Sequence, residues 1–192
     1  NETPAIMVPK VKSPDEIKLL DQLLIEGSME TRLHVIIETN EGLEAAYEIA
    51  QASTRIDALF FGGIDMAAEL RCRSTWEPLL YARSRVVHAA AAAGIDVIDV
   101  PYLDLNDMKG LKEEACLSRD LGFNGKGAIH PKQISIINQT FTPKQDEIAR
   151  AKKIIDAYTV AEGGVAVVDG KLIEKPVIRE MQRILSIAEH WN

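Results

Sequence analysis

Residues 33–70 read LHVIIETNEGLEAAYEIAQASTRIDALFFGGIDMAAEL, in which two apolar segments flank a stretch of mixed polarity. The segments LHVII and IDALFF are rich in β-branched and aromatic residues, which is typical of strands that are buried on both faces of a sheet. Between them, four residues follow the spacing of a single helical face: Leu43, Ala46, Tyr47 and Ala50. The pattern predicts a strand, a helix and a second strand that runs parallel to the first.

An acidic residue follows each of these two strands. Glu38 stands at the end of the first strand, and Asp65 comes just after Gly62 and Gly63 at the end of the second. Because equivalent ends of neighbouring parallel strands lie at the same edge of a sheet, the two carboxylates are predicted to share one cation. Hard carboxylate oxygens suit Mg²⁺. The alternative is that both residues simply cap or begin the next helix.

The remainder of the chain repeats this alternation of strands and helices. Strands are predicted at residues 5–11, 33–38, 56–62, 95–101 and 124–130. The alternation is typical of a parallel α/β fold, either a barrel or a doubly wound sheet, in which functional residues collect at the C-terminal ends of the strands. Five polar residues follow the predicted strands: Lys10, Glu38, Asp65, Tyr102 and His130. The GxGxxG and GxxxxGK[ST] motifs of nucleotide sites do not occur.

Capping and turn residues predict where several elements begin and end. Residues 13–16 form a capping box at the start of a helix, and residues 142–145 repeat that device before a helix that runs to about Thr159. A long helix over residues 78–93 is ended by Gly94. Near the C terminus, the phrase GGVAVVDGKLIEKP predicts a β-hairpin that turns at Asp169-Gly170, followed by a last amphipathic helix.

The composition excludes several classes of protein. The formal net charge of −7 argues against a general nucleic-acid or membrane surface, and no apolar run approaches the roughly 18 residues of a membrane span. No signal peptide is visible, and the two cysteines lack CxxC spacing, as expected in a reducing compartment. We therefore expect a cytoplasmic protein that binds neither nucleic acid nor membrane.

Seven phrases spread over the chain resemble the citrate lyase β-subunit-like branch of the HpcH/HpaI aldolase superfamily. They occur in the expected order: MVPKV, IIETNEGL, ALFFGGIDMAAEL, YARSRVVHAA, AGIDVIDVPYLD, LGFNGKGAIHPKQI and DGKLIEKP. The resemblance implies a (β/α)8 barrel of the TIM type, of which this chain carries the last five βα units in residues 1–141. The first three units would precede Asn1. Residues 142–192 would form a C-terminal hairpin-and-helix extension or lid.

The resemblance also implies a reaction. Members of the family cleave or form a carbon–carbon bond in 3-hydroxyacyl-CoA thioesters such as citryl-CoA, malyl-CoA or citramalyl-CoA, with acetyl-CoA and a 2-oxo acid as products. By resemblance, Glu38 and Asp65 are Mg²⁺ ligands, and the amides near Gly63 and Ile64 bind the carboxylate of the 2-oxo acid. The chain is then expected to be a carbon–carbon lyase that forms a homotrimer.

Glu174, in the phrase LIEKP, occupies the position of an aspartate that related enzymes use as an acid/base. In those enzymes the C-terminal extension of a neighbouring subunit contributes this residue to the active site. A glutamate is one methylene longer, and a misplacement of about 1 Å costs about 100-fold in rate. The alternative interpretation is a surface glutamate that pairs with Lys171 or Lys175.

Other polar residues have both a functional and a structural interpretation. Lys126, between two glycines, is either a flexible cation that contacts coenzyme A or a solvated surface lysine. Tyr102 either lines the channel for coenzyme A or belongs to a capped loop, and His130 either contacts the phosphates of coenzyme A or holds its loop in place. Arg83 and Arg85 are predicted to form salt bridges on the long helix.

Two other functions are compatible with the sequence. One is a 2-oxo acid aldolase that acts without coenzyme A, against which the C-terminal hairpin and helix argue, since they match the acyl-CoA branch. The other is a non-catalytic or complex-dependent subunit, which Glu174 and the missing upstream units favour. A lyase should bind Mg²⁺ with acetyl-CoA and with a 2-oxo acid, an aldolase only the oxo acid, and a non-catalytic subunit neither.

Overall fold

The computed structural model describes residues 3–161 and 166–190, and the chain divides into two compact units. The first unit ends at Ile137 and the second begins at Asn138. The division falls within a helix rather than at residues 141 and 142, where the sequence places the change from barrel to extension. The roles of barrel and lid stay predictions.

The first unit is built on one parallel sheet. Its five strands are β1 (Ala5–Val8), β2 (Arg32–Ile37), β3 (Ile56–Phe61), β4 (Asp96–Asp99) and β5 (Gly125–Lys126). They lie in the order β1-β2-β3-β4-β5, and each neighbouring pair is parallel. The five-stranded parallel α/β fold is therefore confirmed. The strand order does not reverse, whereas a doubly wound sheet reverses at a switch point.

Several strands end earlier than the sequence predicts. Pro9 follows β1 directly and Pro101 lies two residues beyond β4. Since proline has no N–H group to donate to the neighbouring strand, the ladder cannot continue through these positions. The residues after the strands are thereby released to form the loops at the C-terminal edge of the sheet.

Seven helices lie between and after these strands. They are α1 (Pro14–Glu26), α2 (Asn40–Glu44), α3 (Ala46–Ala50), α4 (Gly63–Leu70), α5 (Trp76–Ala93), α6 (Met108–Leu121) and α7 (Pro131–Phe141). The core forms on one face of the sheet, where Val35 of β2 is paired with Leu59 of β3 and both are fully buried. The buried face of α5, including Leu79 and Val86, packs against β3 and β4.

The opposite face of the sheet is less covered than the apolar strand segments suggest. Ile36 and its partner Phe60 are half-buried, and so is His34, whose ring lies 5.6 Å from that of Phe60. Met7 is exposed. The prediction that these strands are buried on both faces is therefore wrong for the described residues, because their helices pack on one face of the sheet.

The helix predicted between β2 and β3 is divided into two short helices. Ala45 departs from helical geometry at φ −90° and ψ 8°, which separates α2 from α3. Leu43, Ala46 and Ala50 are buried as predicted, but Tyr47 is 47% exposed. The break turns Tyr47 away from the face that the continuous spacing implies.

The two predicted capping boxes differ from those in the structure. Ser13 has the extended backbone of an N-cap, but its side chain makes no capping hydrogen bond, and Glu16 accepts from the N–H of Lys12 at 3.0 Å. The N–H of Thr142 donates to the carbonyl of Asn138, so Thr142 still belongs to the end of α7. The next helix consequently begins three residues later than that predicted cap, at Gln145.

The second unit contains a hairpin between two helices. Its elements are α8 (Gln145–Val160), β6 (Ala166–Val168), β7 (Lys171–Ile173) and α9 (Lys175–His190). Strands β6 and β7 are antiparallel, and both Asp169 and Gly170 have the positive φ of a tight two-residue turn. The predicted hairpin is confirmed in its described part, while the Gly163-Gly164 phrase that precedes it lies outside the described residues. A small apolar core, including Ile154 and Met181, joins these elements.

Candidate functional site

The two predicted carboxylates come together around one lysine. Glu38 directly follows β2, Asp65 lies in the first turn of α4 after β3, and Lys10 follows β1. The backbone N–H of Lys10 donates to Glu38 Oε1 at 3.0 Å, and Lys10 Nζ donates to Asp65 Oδ1 at 2.6 Å. The ends of three adjacent strands thus bring two carboxylates to one lysine, Glu38 to its backbone N–H and Asp65 to its ammonium group.

Glu38 and Asp65 differ in their exposure to solvent. Glu38 is 7% exposed, whereas the side chain of Asp65 is about half exposed. Burial raises the pKa of Glu38, the hydrogen bond from the Lys10 N–H opposes that rise, and the charge of Asp65 raises the pKa further. The two carboxylates therefore repel each other, and a cation bound between them would relieve that repulsion.

Gly62 and Gly63 allow this close approach. A Cβ on Gly62 would lie 2.4 Å from Glu38 Cβ and 2.6 Å from Glu38 Oε2. A Cβ on Gly63 would lie 2.9 Å from Phe61 Cε1 and 3.1 Å from Val100 Cγ1. A larger residue at position 62 would push the start of α4 away from Glu38, and one at position 63 would crowd Phe61 and Val100.

The start of α4 also offers hydrogen-bond donors to an anion. Gly62 is the N-cap, and Gly63 and Ile64 are the first two helical residues. Their N–H groups have no acceptor within the helix, as in the first turn of any α-helix. These donors lie in the same turn as Asp65, so one helix start supplies both a carboxylate and N–H groups of the kind that bind anions at helix N-termini.

The donor set fits a hard divalent cation. Within residues 3–161 and 166–190, no group of three or more His, Cys, Asp or Glu side chains is arranged to hold a metal. Mg²⁺, however, is usually held by one or two carboxylates, and the remaining ligands are water and substrate. Glu38 and Asp65, with the contacts of Lys10 showing that a cation fits against Asp65, are the residues that could hold it.

Lys126 is not the exposed, flexible cation that its flanking glycines suggest. Its side chain is completely buried, with Nζ 2.7 Å from Asp99 Oδ2 and 2.6 Å from Glu114 Oε1. β4 places Asp99 beside Lys126 of β5, so the ammonium lies within the protein. The interpretation of Lys126 as a flexible, exposed cation is therefore wrong, and its contact with coenzyme A stays a prediction.

The same buried cluster includes Arg83, which sequence reasoning placed only in a salt bridge. Arg83 is 2% exposed, its Nε donates to Asp99 Oδ1 at 2.9 Å, and its guanidinium lies over the rings of Phe61 and Trp76. Burial alone would raise the pKa of Asp99, but Lys126, Arg83 and the hydrogen bonds to the carboxylate outweigh burial and lower that pKa. The predicted salt bridge of Arg83 is confirmed.

A sequence signal for this cluster does exist. Arg83 shares the helical spacing of Leu79, Val86 and Ala90, all of which are buried on α5. Asp99 lies two residues beyond Val97 and therefore on the same buried face of β4. A charged residue at a core position of each of two adjacent elements is the pattern that predicts a buried ion pair.

The first unit also matches a known protein family. Residues 1–131 match the family model described as HpcH/HpaI aldolase/citrate lyase. The chain belongs to this family.

Curated members of the HpcH/HpaI family match nearly all of the chain. The citrate lyase subunit beta of Leuconostoc mesenteroides subsp. cremoris is 32% identical over 195 residues, which cover 95% of this chain and 65% of that protein. The mitochondrial citramalyl-CoA lyase of Mus musculus is 32% identical over 203 residues, which cover 96% of this chain and 60% of that protein. The chain spans about two thirds or less of the length of these relatives.

A solved structure of the family shows the same fold. It is the protein CitE from Mycobacterium tuberculosis in complex with magnesium, acetoacetate and coenzyme A. The TM-score is 0.77 and the identity 26%, over 97% of this chain and 68% of that one. The α/β fold of this family member is thereby established from both sequence and structure.

Tyr102 and His130 lie in loops at the C-terminal edge of the sheet. The hydroxyl of Tyr102 donates to Asp107 Oδ2 at 2.8 Å, and this bond raises the pKa of Tyr102 to about 12. His130 Nδ1 accepts from the N–H of Lys132 at 3.2 Å, which holds the start of α7. Gln133 is fully buried and donates to the carbonyl of Tyr102 at 2.7 Å, thereby linking the two loops. Both residues have structural partners, and their contacts to coenzyme A stay predictions.

Glu174 lies in the second unit, between β7 and α9. Its backbone carbonyl accepts from the N–H groups of Val177 and Ile178, while its side chain is exposed. Among the residues that the structure describes, no ion pair joins the Glu174 carboxylate to Lys171 or Lys175. The role of Glu174 as an acid/base in this family member stays a prediction.

Among the described residues, none of the helices combines the length and the apolar character that crossing a membrane requires.

Proposed function

We propose that the chain is part of a Mg²⁺-dependent lyase that cleaves or forms a carbon–carbon bond in a 3-hydroxyacyl-CoA of the citryl-, citramalyl- or malyl-CoA type. The products would be acetyl-CoA and a 2-oxo acid. One observation supports the proposal: Glu38 and Asp65, at the ends of adjacent parallel strands, both bind Lys10, Glu38 through the backbone N–H and Asp65 through the ammonium group. The names of the relatives and the magnesium, acetoacetate and coenzyme A of the CitE complex support it.

We also propose that the five-stranded sheet is part of a (β/α)8 barrel. The strands are all parallel and follow one another in sequence order, as in a barrel. Residues Lys10, Glu38 and Asp65 lie at the C-terminal ends of the strands, where the active sites of such barrels are found.

The residues of the proposed site would have separate roles in metal binding, substrate binding and proton transfer. Glu38 and Asp65 would hold Mg²⁺, which when bound supplies a Lewis acid that polarises the carbonyl of the 2-oxo acid. The N–H groups of Gly63 and Ile64 would hold the carboxylate of that acid at the start of α4. Glu174 would exchange a proton with the substrate, on a segment held by the turn at Asp169-Gly170.

The assembly follows from the same proposal. We expect a homotrimer in which the hairpin and α9 of one subunit bring Glu174 to the site of its neighbour. The cytoplasmic location and the contacts of Tyr102 and His130 to coenzyme A belong to this proposal as well.

A second candidate is a 2-oxo acid aldolase of the same family that acts without coenzyme A. The burial of Lys126 favours it, because the lysine expected to reach the phosphates of coenzyme A is held by Asp99 and Glu114. The hairpin and α9, which match the acyl-CoA branch in sequence, favour the lyase.

Isothermal titration calorimetry separates these functions. Mg²⁺ alone is titrated first, and pyruvate, oxaloacetate and acetyl-CoA are then titrated into the Mg²⁺-loaded protein. The lyase should bind acetyl-CoA and an oxo acid, whereas the aldolase should bind the oxo acid only. A protein that binds neither ligand is a non-catalytic subunit, and this result would contradict the proposal.

A further inference from the structure

Lys10 has a backbone conformation that lysine rarely adopts. Its φ is +55°, in the left-handed region where a side chain crowds the backbone. Such a conformation persists only where the surroundings hold it in place, and it occurs at helix ends, in turns and at functional sites. Lys10, between the end of β1 and the start of α1, must therefore be held in this conformation by its contacts.

Both ends of Lys10 are held by the two carboxylates of the site. The backbone N–H donates to Glu38 Oε1 at 3.0 Å, and Nζ donates to Asp65 Oδ1 at 2.6 Å. The next residue, Val11, is fully buried, and a Cβ on Gly42 would lie only 2.3 Å from the Val11 carbonyl oxygen. The chain is thus anchored in the core by Val11, and the preceding residue, Lys10, contacts both carboxylates.

The charge of Lys10 is balanced by three acids. The hydrogen bond to Asp65 and the charges of Asp65, Glu38 and Glu69 raise the pKa of Lys10. Like lysine side chains in general, it is an ammonium ion at neutral pH. Its side chain is still largely exposed, so it is free to leave Asp65 without unfolding the segment.

We propose that Lys10 is a built-in counter-ion of the Glu38–Asp65 pair, which competes with the divalent cation for Asp65 and, once displaced, helps to bind the carboxylate of the anionic substrate. The inference rests on the proposed function. Lys10 Nζ lies against Asp65 Oδ1, so a divalent cation held by the same carboxylate would be repelled by a neighbouring positive charge. Binding of the cation therefore favours movement of the ammonium away from Asp65.

The displaced ammonium remains near the site. The hydrogen bond from the Lys10 N–H to Glu38 involves the backbone, so it does not depend on where the side chain points. The N–H groups at the start of α4 supply further positive potential on the same side. An oxo acid that binds there meets the ammonium as well as the amides.

The proposal predicts that loss of the Lys10 ammonium changes the affinities for Mg²⁺ and for the oxo acid in opposite directions. Removal of the ammonium should tighten Mg²⁺ binding, because the competitor is gone, and should weaken oxo-acid binding, because one positive charge is lost. A purely structural role of Lys10 would instead weaken both, since the carboxylates would no longer be held together.

The experiment compares Lys10→Met and Lys10→Gly with Lys12→Met. Glycine accepts a positive φ without strain, so it keeps the backbone conformation while removing the ammonium. Lys12 is the matched control, an exposed lysine two residues further on that pairs with Glu41 at 3.5 Å. MgCl₂ alone is titrated into each full-length chain by calorimetry at low ionic strength, and pyruvate is then titrated into the Mg²⁺-saturated protein.

Both Lys10 variants should bind Mg²⁺ about fivefold more tightly than the unmodified chain, the size expected for one exposed ion pair. They should bind pyruvate more weakly, while Lys12→Met changes neither affinity. The gain in Mg²⁺ affinity should shrink as KCl is added, because exposed charges are screened.

Two outcomes overturn the inference in distinguishable ways. If the unmodified chain binds Mg²⁺ and both Lys10 variants bind it equally or more weakly, Lys10 is not a competitor and the proposed function still stands. If neither the unmodified chain nor the variants bind Mg²⁺, the metal site fails and the proposed function falls with it. Unchanged pyruvate binding in the Lys10 variants overturns the role in substrate binding.

Discussion

The closeness of Glu38 to the start of α4 depends on a residue that has no side chain. A Cβ on Gly62 would overlap Glu38 at 2.4 Å, well inside any contact that real Cβ atoms make. The sequence signal for this approach is the Gly-Gly pair after an apolar strand, because glycine lets the backbone come close to another group.

We expect Asp65→Asn to weaken Mg²⁺ binding by more than about 100-fold, because loss of a ligand should exceed the 10–100-fold cost of losing a supporting residue. The side chain is half exposed, so stability should change by no more than about 0.5 kcal/mol. Mg²⁺ affinity is measured by calorimetry and stability by urea denaturation.

The control for this variant is Asp57→Asn. Asp57 lies on the same strand that leads to Asp65 but forms an exposed ion pair with Arg32 near the strand's opposite end. Its replacement should leave Mg²⁺ affinity unchanged. Wild-type Mg²⁺ affinity in the Asp65 variant would remove Asp65 from the metal site.

Four elements are joined by one buried ionic cluster. Arg83 of α5, Asp99 of β4, Glu114 of α6 and Lys126 of β5 form ion pairs, and Ser118 of α6 donates to Asp99 at 2.6 Å. Among the described residues, Nη1 of Arg83 is the one buried side-chain nitrogen or oxygen atom without a hydrogen-bond partner. The cluster fixes how β4 and β5 lie against their helices.

We expect Lys126→Met to reduce the free energy of unfolding by about 3 kcal/mol, because it removes one of the two cations that pair with the buried Asp99 carboxylate and leaves Arg83 as the other. Lys109→Met is the matched control on α6, since Lys109 forms only an exposed pair with Glu113 and should cost about 0.5 kcal/mol or less. Urea denaturation measures both. Equal small losses in the two variants would show that the buried pairs contribute little.

The same cluster predicts a loss of stability in acid. The pKa of Asp99 in the folded protein is lowered from 3.8, so the unfolded chain takes up a proton at Asp99 at a higher pH than the folded one. The stabilisation is complete above the unfolded pKa and is lost as the pH falls through the folded pKa.

Asp99→Asn should therefore flatten the dependence of stability on pH below about pH 4. Urea denaturation of both proteins between neutral and acidic pH measures the two slopes. The Asn variant is expected to be less stable at neutral pH, so the comparison rests on the slope and not on the absolute stability. An unchanged slope would show that Asp99 does not take part in acid unfolding.

The two units carry different parts of the proposed chemistry. Glu38 and Asp65 lie in the first unit, which ends at Ile137, and Glu174 lies in the second. If the second unit of one subunit serves the first unit of another, each active site needs residues from two chains.

We expect Glu174→Gln and Glu38→Ala chains to be nearly inactive alone. The first loses general acid–base catalysis, which contributes about 100-fold or more, and the second loses a proposed Mg²⁺ ligand. Mixed after partial denaturation, they should regain about a quarter of wild-type lyase activity, the share of sites that random assembly of a symmetric oligomer completes. Glu180→Gln, an exposed glutamate on α9, is the control and should remain active. Recovery no greater than the sum of the separate chains would show that sites are not shared.

Part of this molecule was predictable because its signals are local. The apolar runs of β2 and β3, Gly94 after α5 and the Asp169-Gly170 turn each depend on a few neighbouring residues, and all agree with the structure. The convergence of Glu38 and Asp65 follows from the parallel order of two strands.

The remaining features depend on contacts between distant residues. The glycines beside Lys126 suggest mobility, yet the partners of its ammonium are 27 and 12 residues away in the sequence. The capping box at Ser13 and the helix around Ala45 have favourable local patterns that the structure does not follow.

The sequence by itself determined the five parallel strands and the positions of two acidic residues, because strand period and turn chemistry act over a few residues. Only the tertiary structure decided that Lys126 is buried and that Lys10 bridges the carboxylates. The physical reason is that burial and ion pairing depend on which charges the fold brings within about 4 Å of each other. The spacing of residues along the sequence does not specify that distance in space.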